Sequence, residues 1–493
     1  MSIINQSINV TLFLGMLLVF MGCESPGSSE TDLSNSVLEI GTISLSESEI
    51  KTHSANLREN YQPRDGEMHF HKIADEVPEF GGYYVNENGD LVVYVKEGGN
   101  TEMSRSLAVD QLRELRIPEF LETELSSVVI KEADFHFEEL AFWRELVFEF
   151  VLGSDTFDYV SAIQVDESKN RIVIDIDEER YSEQNVNILK SFLFERLDIP
   201  ADAVAFNKSS PIVPLHEENY NNLYMNSLSG TLSQHNRPLV GGLRIRNQEQ
   251  TGSNDGCTAG FIADVFTKRW MITNSHCTVA LFYNDEGYFY QPSNTFTTFG
   301  RVYKDPSPWV CGFNQFCRNS DAAAIEIFDG QDYNIGQIAR TEWLNDSGGS
   351  GSTTIDSSSP VFSIVEDGNF SIQGTNVEKV GRTTGWTGGN IVGTCIDTVM
   401  NPPNYKLICQ HHADLHAEGG DSGSPVFQRM DSIHERLVGL LWGRQSGTNI
   451  IYFSRMSGIR DDLGNFSASD PDYIPLSDPG DPGDPGDPGD PIP

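Results

Sequence analysis

The sequence predicts a two-part molecule: an α+β domain of two lobes, then an all-β domain of antiparallel strands. Three observations carry this. A hairpin, helix and strand series occurs twice between residues 56 and 212. From 239 to 466, short apolar strands alternate with Gly, Asn, Asp and Ser turns and long helical patterns are nearly absent, the texture of a sandwich or a pair of barrels. Of the seven cysteines, all but Cys23 lie in this second half. At 493 residues the chain exceeds what one compact domain holds.

Residues 10–22 form an apolar run that ends at Cys23. It is too short to span a bilayer comfortably but has the length of a signal-peptide core. The segment "VFMGCESPGSSE" resembles a bacterial lipoprotein signal, in which cleavage before the cysteine frees it for acylation. Residues 1–22 are then the signal and Cys23 the lipidation site, with membrane contact only through that anchor. A plain export signal is the alternative, since the first nine residues carry no Lys or Arg. Residues 23–55 are Ser/Glu-rich without periodicity and read as a flexible tether.

Within 56–212, "GYYVNENGDLVVYV" (82–95) is a strand, an Asn/Gly/Asp turn and a second strand. "SRSLAVDQLRELRI" (104–117) has helical spacing and "SSVVIKEADF" (126–135) is strand-like. After a helix in "HFEELAFWRELVFEFVLG", the series returns as "SAIQVDESKNRIVIDI" (161–176), a helix opened by Ser182, and "ADAVAFNKSS" (201–210). No clustered His, Cys or Ser residues suggest chemistry here. Residues 213–238 read as a polar linker and 467–493 as an acidic Pro/Gly-rich tail, whose closing repeat "SDPGDPGDPGDPGDPIP" cannot pack.

A formal net charge of −39 argues against nucleic acid as a partner, because phosphate binding needs a basic face. No metal or nucleotide site is visible: the histidines lack ligand spacing, and no Gly-rich loop lies between a strand and a helix. No cofactor is expected.

Setting Cys23 aside leaves an even six cysteines, which permit 15 pairings. Near-neighbour pairing is the simplest: Cys257–Cys277, Cys311–Cys317 and Cys395–Cys409. Such disulfides belong in an oxidising compartment, at the cell envelope or outside it. "RWMITNSHC" (269–277) delivers His276 beside Cys277, where a bridge to Cys257 pins its loop. "CRNSDAAAIEIF" (317–328) places Asp321 at the start of an apolar run, and "HAEGGDSGSPVF" (416–427) holds Ser422 among glycines.

Taken together, these segments resemble the chymotrypsin-like serine proteases, whose triad follows the chain order His, Asp, Ser. The resemblance covers about 239–466. "VGRTTGWTGG" (380–389) resembles the bacterial streptogrisin and α-lytic branch, and "VGLLWG" (438–443) the strand that pairs with substrate backbone. It implies a double antiparallel β-barrel and a serine endopeptidase acting on proteins or peptides. His276 is then the base, Asp321 its orienting carboxylate and Ser422 the nucleophile. The backbone N–H groups of Gly420 and Ser422 face the developing oxyanion. His416 and Ala417 fall on one wall of the substrate pocket, with Leu441, Trp442 and Gly443 opposite; Leu441 stands where the family often has serine. With no carboxylate at 416, a preference for Arg or Lys is not expected.

The same branch often carries a large N-terminal pro-region. The resemblance therefore implies that 56–212 is a pro-region-like domain, serving as folding aid and inhibitor of a zymogen. An inert binding lipoprotein on a protease scaffold is the alternative; it predicts loss of a triad member. Asp421, beside the nucleophile, needs a cation if buried. Arg382 in "VGRTTG" is the expected partner, over an α-amine freed at Leu239 in "PLVGG".

Overall fold

Ser46 opens the first helix. Its side chain accepts the Glu49 N–H while the Glu49 carboxylate takes the Ser46 N–H, a capping box that starts α1 (Glu47–Asn60). The helix buries Ile50 and occupies the end of the stretch read as a tether, so that reading is corrected: ordered chain begins before residue 47. A computed structural model describes residues 45–473 except 115–127, 216–229, 251, 253–254, 266–267, 294, 312–314, 369–370 and 401–404. The signal, Cys23, most of the tether and the tail beyond 473 lie outside the described residues; the start of the tail is corrected, since Ser467 pairs with Asp264 and Ala468 is buried.

Helix α2 (Met68–Glu76) leads into β1 (Phe80–Val85) and β2 (Leu91–Val95), an antiparallel hairpin. Its turn is made by Asn86, whose Oδ1 accepts the N–H groups of Asn88 and Asp90, each at 2.9 Å. Helix α3 (Thr101–Glu114) precedes β3 (Val128–Glu132), which lies parallel to β2. After α4 (Phe137–Phe150), β4 (Val160–Asp166) and β5 (Arg171–Asp177) form a second antiparallel hairpin. Ser182 caps α5 (Glu183–Ser191) by accepting the Asn185 N–H at 3.0 Å, and β6 (Val204–Ser209) returns parallel to β5. Both series thus share one pairing pattern. Helix α4 is apolar on most of its surface and accordingly buried on most of it.

A short strand, β7 (Ile212–Pro214), ends this part. The second part opens with β8 (Leu239–Gly241), β9 (Arg244–Asn247), β10 (Cys257–Thr258), β11 (Phe261–Val265) and β12 (Lys268–Thr273). It continues through β13 (Tyr288–Tyr290), β14 (Thr298–Lys304), β15 (Trp309–Cys311), β16 (Gln315–Arg318) and β17 (Ala323–Ile327). Then come β18 (Tyr333–Ala339), β19 (Val361–Asp367), β20 (Asn376–Gly381) and β21 (Gly385–Met400). The last are β22 (Tyr405–Asp414), β23 (Pro425–Arg429), β24 (His434–Gln445), β25 (Ile450–Arg455) and α6 (Met456–Leu463). A seven-stranded sheet has the order β10-β9-β13-β14-β17-β12-β11. A 15-stranded sheet has the main path β15-β16-β22-β25-β24-β23-β20-β21-β4-β5-β6, with β7, β8, β18 and β19 pairing off it. The second part is therefore mostly β, with most neighbours antiparallel.

The two parts share that larger sheet. Strand β4 pairs with β21 in the register Asp397↔Ile163 and Thr398↔Ala162. Around the seam, buried charges are matched rather than left alone. Arg64 bonds Asp397 of β21, and its Nε lies 2.6 Å from Glu145; Arg144 links Glu145 (2.9 Å) to Glu67. Lys406 of β22 donates to the Phe148 carbonyl (2.8 Å) in the last turn of α4, where a cation suits the helix dipole. Thr394 of β21 donates to Glu167 in the β4–β5 turn at 2.9 Å.

Burial pushes Glu167 up to about 8, and burial beside Glu378 pushes Glu435 up to about 10. Both carboxyls hold a proton in the fold at pH values where the unfolded chain, titrating near its ordinary value, has lost it. Their contribution is therefore complete below about pH 4 and drains as pH rises through 8 and 10. His69, His411 and His412, pushed down to about 3, 3 and 4 by burial, act oppositely, but only below about pH 6.5. Between pH 6.5 and 8.5 Lys406, pushed down to about 8 by burial, opposes them, but Glu167, Glu435 and Asp305, the last pushed up to about 7, outnumber it and decide the sign. Calorimetry is expected to give a lower unfolding temperature at pH 8.5 than at 6.5, with a shallower dependence in Glu167→Gln; a rise with pH would contradict this.

Candidate active site

Strand β12 ends in a single tight turn, Ser275–Cys277, which carries His276. Cys257–Cys277 ties that turn to β10, and Cys311–Cys317 and Cys395–Cys409 close the two other expected pairs. The turn is held over Asp321 by backbone contacts: Asn274 Nδ2 donates to the Asp321 carbonyl at 2.7 Å and the His276 N–H to Asp321 Oδ1 at 3.2 Å. His276 Nδ1 bonds Asp321 Oδ2, and His276 Nε2 lies 2.7 Å from Ser422 Oγ. With Nδ1–H given to the carboxylate, Nε2 presents its lone pair to the serine proton. Asp321 and Ser422 are 0% exposed and His276 8%, so water is kept from all three. The sequence-predicted His, Asp and Ser are thus brought into one hydrogen-bonded line.

Behind this line stand residues that sequence reasoning missed. The Asp321 N–H donates to Ser454 Oγ (3.1 Å), whose own hydroxyl donates to Gln410 Oε1 (2.8 Å). Ser275 donates to Asp305 (2.7 Å), itself paired with Arg318 at 3.0 Å. Burial pushes Asp305 up to about 7, against the pull of Arg318.

Ser422 stands in a turn that needs its glycines. Gly420 has φ +94° and Gly423 φ +87°, a region that side chains disfavour. A Cβ at Gly420 would run into the Arg382 guanidinium, and one at Gly423 into the Thr258 carbonyl. Thr258 Oγ1 donates to the Gly420 carbonyl (2.9 Å), fixing the direction of that peptide.

The expected Asp421–Arg382 pair is not formed. Asp421 is fully buried and faces β20, where Lys379 Nζ approaches to 3.2 Å. It also accepts from Thr384 Oγ1 (2.6 Å) and from the Thr383 (2.9 Å), Thr384 (3.2 Å) and Glu418 (3.1 Å) N–H groups. Burial alone would raise this carboxyl; Lys379 and the donors hold it below its ordinary value. Arg382 instead turns its guanidinium to the Gly256 carbonyl, Nη2 at 2.9 Å. Leu239, whose freed amine was the other candidate, lies inside β8 with its N–H on the Asp332 carbonyl at 2.8 Å.

The chain itself fills the site. Strand β7 adds antiparallel to β24, with Gly443 opposite Pro214 and Arg444 opposite Val213. The Leu215 N–H donates to the Trp442 carbonyl at 3.2 Å. The Leu215 carbonyl accepts from the Gly420 N–H at 3.1 Å and lies 3.1 Å from Ser422 Oγ. The Gly420 N–H thus bonds that oxygen from the backbone, while Ser422 Oγ, its proton directed to His276 Nε2, stands beside it. Leu215 is 3% exposed in an apolar cluster with Ala417 and Leu441, both expected on the pocket walls. His416 turns its ring to Asn449 (3.3 Å) and Glu418 (3.5 Å). The linker reading of 213–238 is corrected at both ends. Residues 213–215 occupy the site, and near the other end Leu232 is buried, with 216–229 outside the described residues.

No protein-family model matches the chain, and no curated protein is similar to it in sequence. Among solved structures the chain is similar to Thermobifida fusca protease A, at 16% identity and TM-score 0.33, covering 47% of this chain and 98% of that one. A Nocardiopsis protease aligns at 17% identity and TM-score 0.32, covering 47% of this chain and 98% of its own. Alpha-lytic protease homolog N4 aligns at 16% identity and TM-score 0.33, covering 46% of this chain and 97% of its own. No helix among the described residues is long and apolar enough to cross a membrane.

Proposed function

We propose that the chain is an exported serine endopeptidase made as a zymogen, its β part a double barrel and residues up to Leu215 a pro-region. One observation carries the reading: Ser422 Oγ is 2.7 Å from a base that Asp321 orients and 3.1 Å from a peptide carbonyl oxygen that Gly420 also contacts. In the proposed reaction Ser422 Oγ adds to a substrate carbonyl carbon as its proton passes to His276 Nε2. The Gly420 N–H stabilises the oxyanion, a contribution of about 10²–10³ in rate per donor. His276 then protonates the departing amine, and water releases the acyl group by the same path in reverse. The three disulfides fit export, and acylation of Cys23 would tether the product.

The pro-region acts as inhibitor because its end lies where substrate must lie, and as folding aid because β4 continues the sheet at β21. An inert binding protein has no use for a buried histidine bonded to a carboxylate on one side and a serine on the other. The test is an active-site serine reagent applied to processed enzyme. Labelling at Ser422, suppressed by adding residues 45–215 in trans at micromolar concentration, is expected. Processed chain that neither labels nor cleaves any peptide would overturn the reading.

A further inference from the structure

Leu215 sits where the residue before a cleaved bond sits, and its surroundings show what that position selects. The segment is held by backbone contacts along its length: the Ser446 N–H donates to the Pro211 carbonyl (2.9 Å), β7 pairs with β24, and the Leu215 N–H reaches Trp442. These contacts ignore side-chain identity. Discrimination falls on two buried side chains. Leu215 belongs to an apolar cluster with Leu415, Ala417, Leu441, Ile451 and Phe453. Ile212, 3% exposed, belongs to a second, with Phe282, Trp442 and Tyr452.

We infer that the enzyme cleaves after leucine, or a side chain of leucine's size and apolarity, and that one such bond is its own, on the C-terminal side of Leu215. The inference rests on the endopeptidase reading above and adds the substrate class. Among those apolar neighbours a carboxylate or guanidinium would be desolvated, and Arg444 at that wall is already engaged with the Ala417 carbonyl at 3.3 Å. A smaller side chain leaves contacts unmade, and a larger one must displace packed neighbours. An apolar residue three positions upstream adds a second filter through Phe282 and Trp442. In the self-cleavage, Ser422 Oγ bonds to the Leu215 carbonyl carbon and the C–N bond to residue 216 breaks. The amine leaves with the proton that His276 took from Ser422. Water then converts the Leu215 ester to a carboxylate and restores Ser422.

The experiment uses the full chain, purified, incubated and followed by N-terminal sequencing, alongside acetyl-Ile-Val-Pro-Xaa-p-nitroanilide peptides with Xaa as Leu, Met, Ala, Phe, Asp and Arg. A new terminus at His216 is expected, absent in Ser422→Ala and slowed at least about 100-fold in Leu215→Asp, while Leu215→Met stays within about 10-fold of wild type. The leucine peptide should exceed the alanine peptide by about 10–200-fold in kcat/KM, and the Asp and Arg peptides by more. A best substrate other than Leu or Met overturns the inference, as does Leu215→Asp cut at His216 at the wild-type rate. In both cases the endopeptidase reading survives. Failure to hydrolyse any peptide, with no labelling of Ser422, overturns both.

Discussion

Ser422→Ala is expected to lower peptide hydrolysis by about 10⁶-fold while leaving the fold intact. The size follows from the arrangement. His276 Nε2 lies 2.7 Å from Ser422 Oγ, so removing the hydroxyl removes nucleophile and transferable proton together. His276→Ala should cost about as much, because the serine is then left without a base, and the double variant little more than either alone. Asp321→Asn should cost less, about 10⁴-fold, since it leaves both reacting groups present and disturbs the tautomer. Steady-state kinetics on processed enzyme checks the series. Additive losses, with the double variant far below both singles, would mean that the three do not work as a unit.

The second large effect is on stability. Lys379→Met should cost about 3–5 kcal/mol, because it strands the Asp421 carboxylate inside the protein. Asp421 retains four other donors, but none carries the charge that offsets its burial. Activity should fall with stability, as Asp421 adjoins the nucleophile. Lys379→Met combined with Asp421→Asn should recover much of the loss, since an amide keeps several hydrogen bonds without the charge. Arg382→Ala should leave the charge balance of Asp421 unchanged, for its guanidinium bonds the Gly256 carbonyl and forms no pair with that carboxylate. Denaturant unfolding of the single and double variants decides this; a Lys379→Met loss under about 1 kcal/mol would place the charge balance of Asp421 elsewhere.

How legible each part was depended on how local its cause is. The residues around His276, Asp321 and Ser422 sit in short motifs whose turn and strand chemistry is written in consecutive positions, and the neighbouring cysteine pairs needed little more. Lys379 was hidden because, in "NVEKVG", it looks like one polar residue of an ordinary alternating strand; only the packing of β20 under the Ser422 turn assigns it to Asp421. Leu215 was hidden more deeply, because the partners that give it meaning lie far along the chain, in β24 and the Gly420 turn. The capping box at Ser46 and Glu49 was present in the sequence but masked by surrounding Ser/Glu composition. The repeated hairpin, helix and strand could be read, whereas the docking of β4 on β21 could not, since a strand edge does not announce its neighbour.

The covalent cross-links are unevenly shared. All three disulfides fall between residues 257 and 409, and the segment from 45 to 215 has no cysteine at all. If the backbone is cut after Leu215, as inferred above, the two pieces age differently. The stapled piece opens rarely, because its unfolded states are restricted, while the unstapled one depends for its shape on continued contact. Each excursion off its partner exposes it to digestion, and what is digested does not return. Inhibition then has a lifetime rather than a set point: however tight the complex, the consumable half is spent and the durable half accumulates.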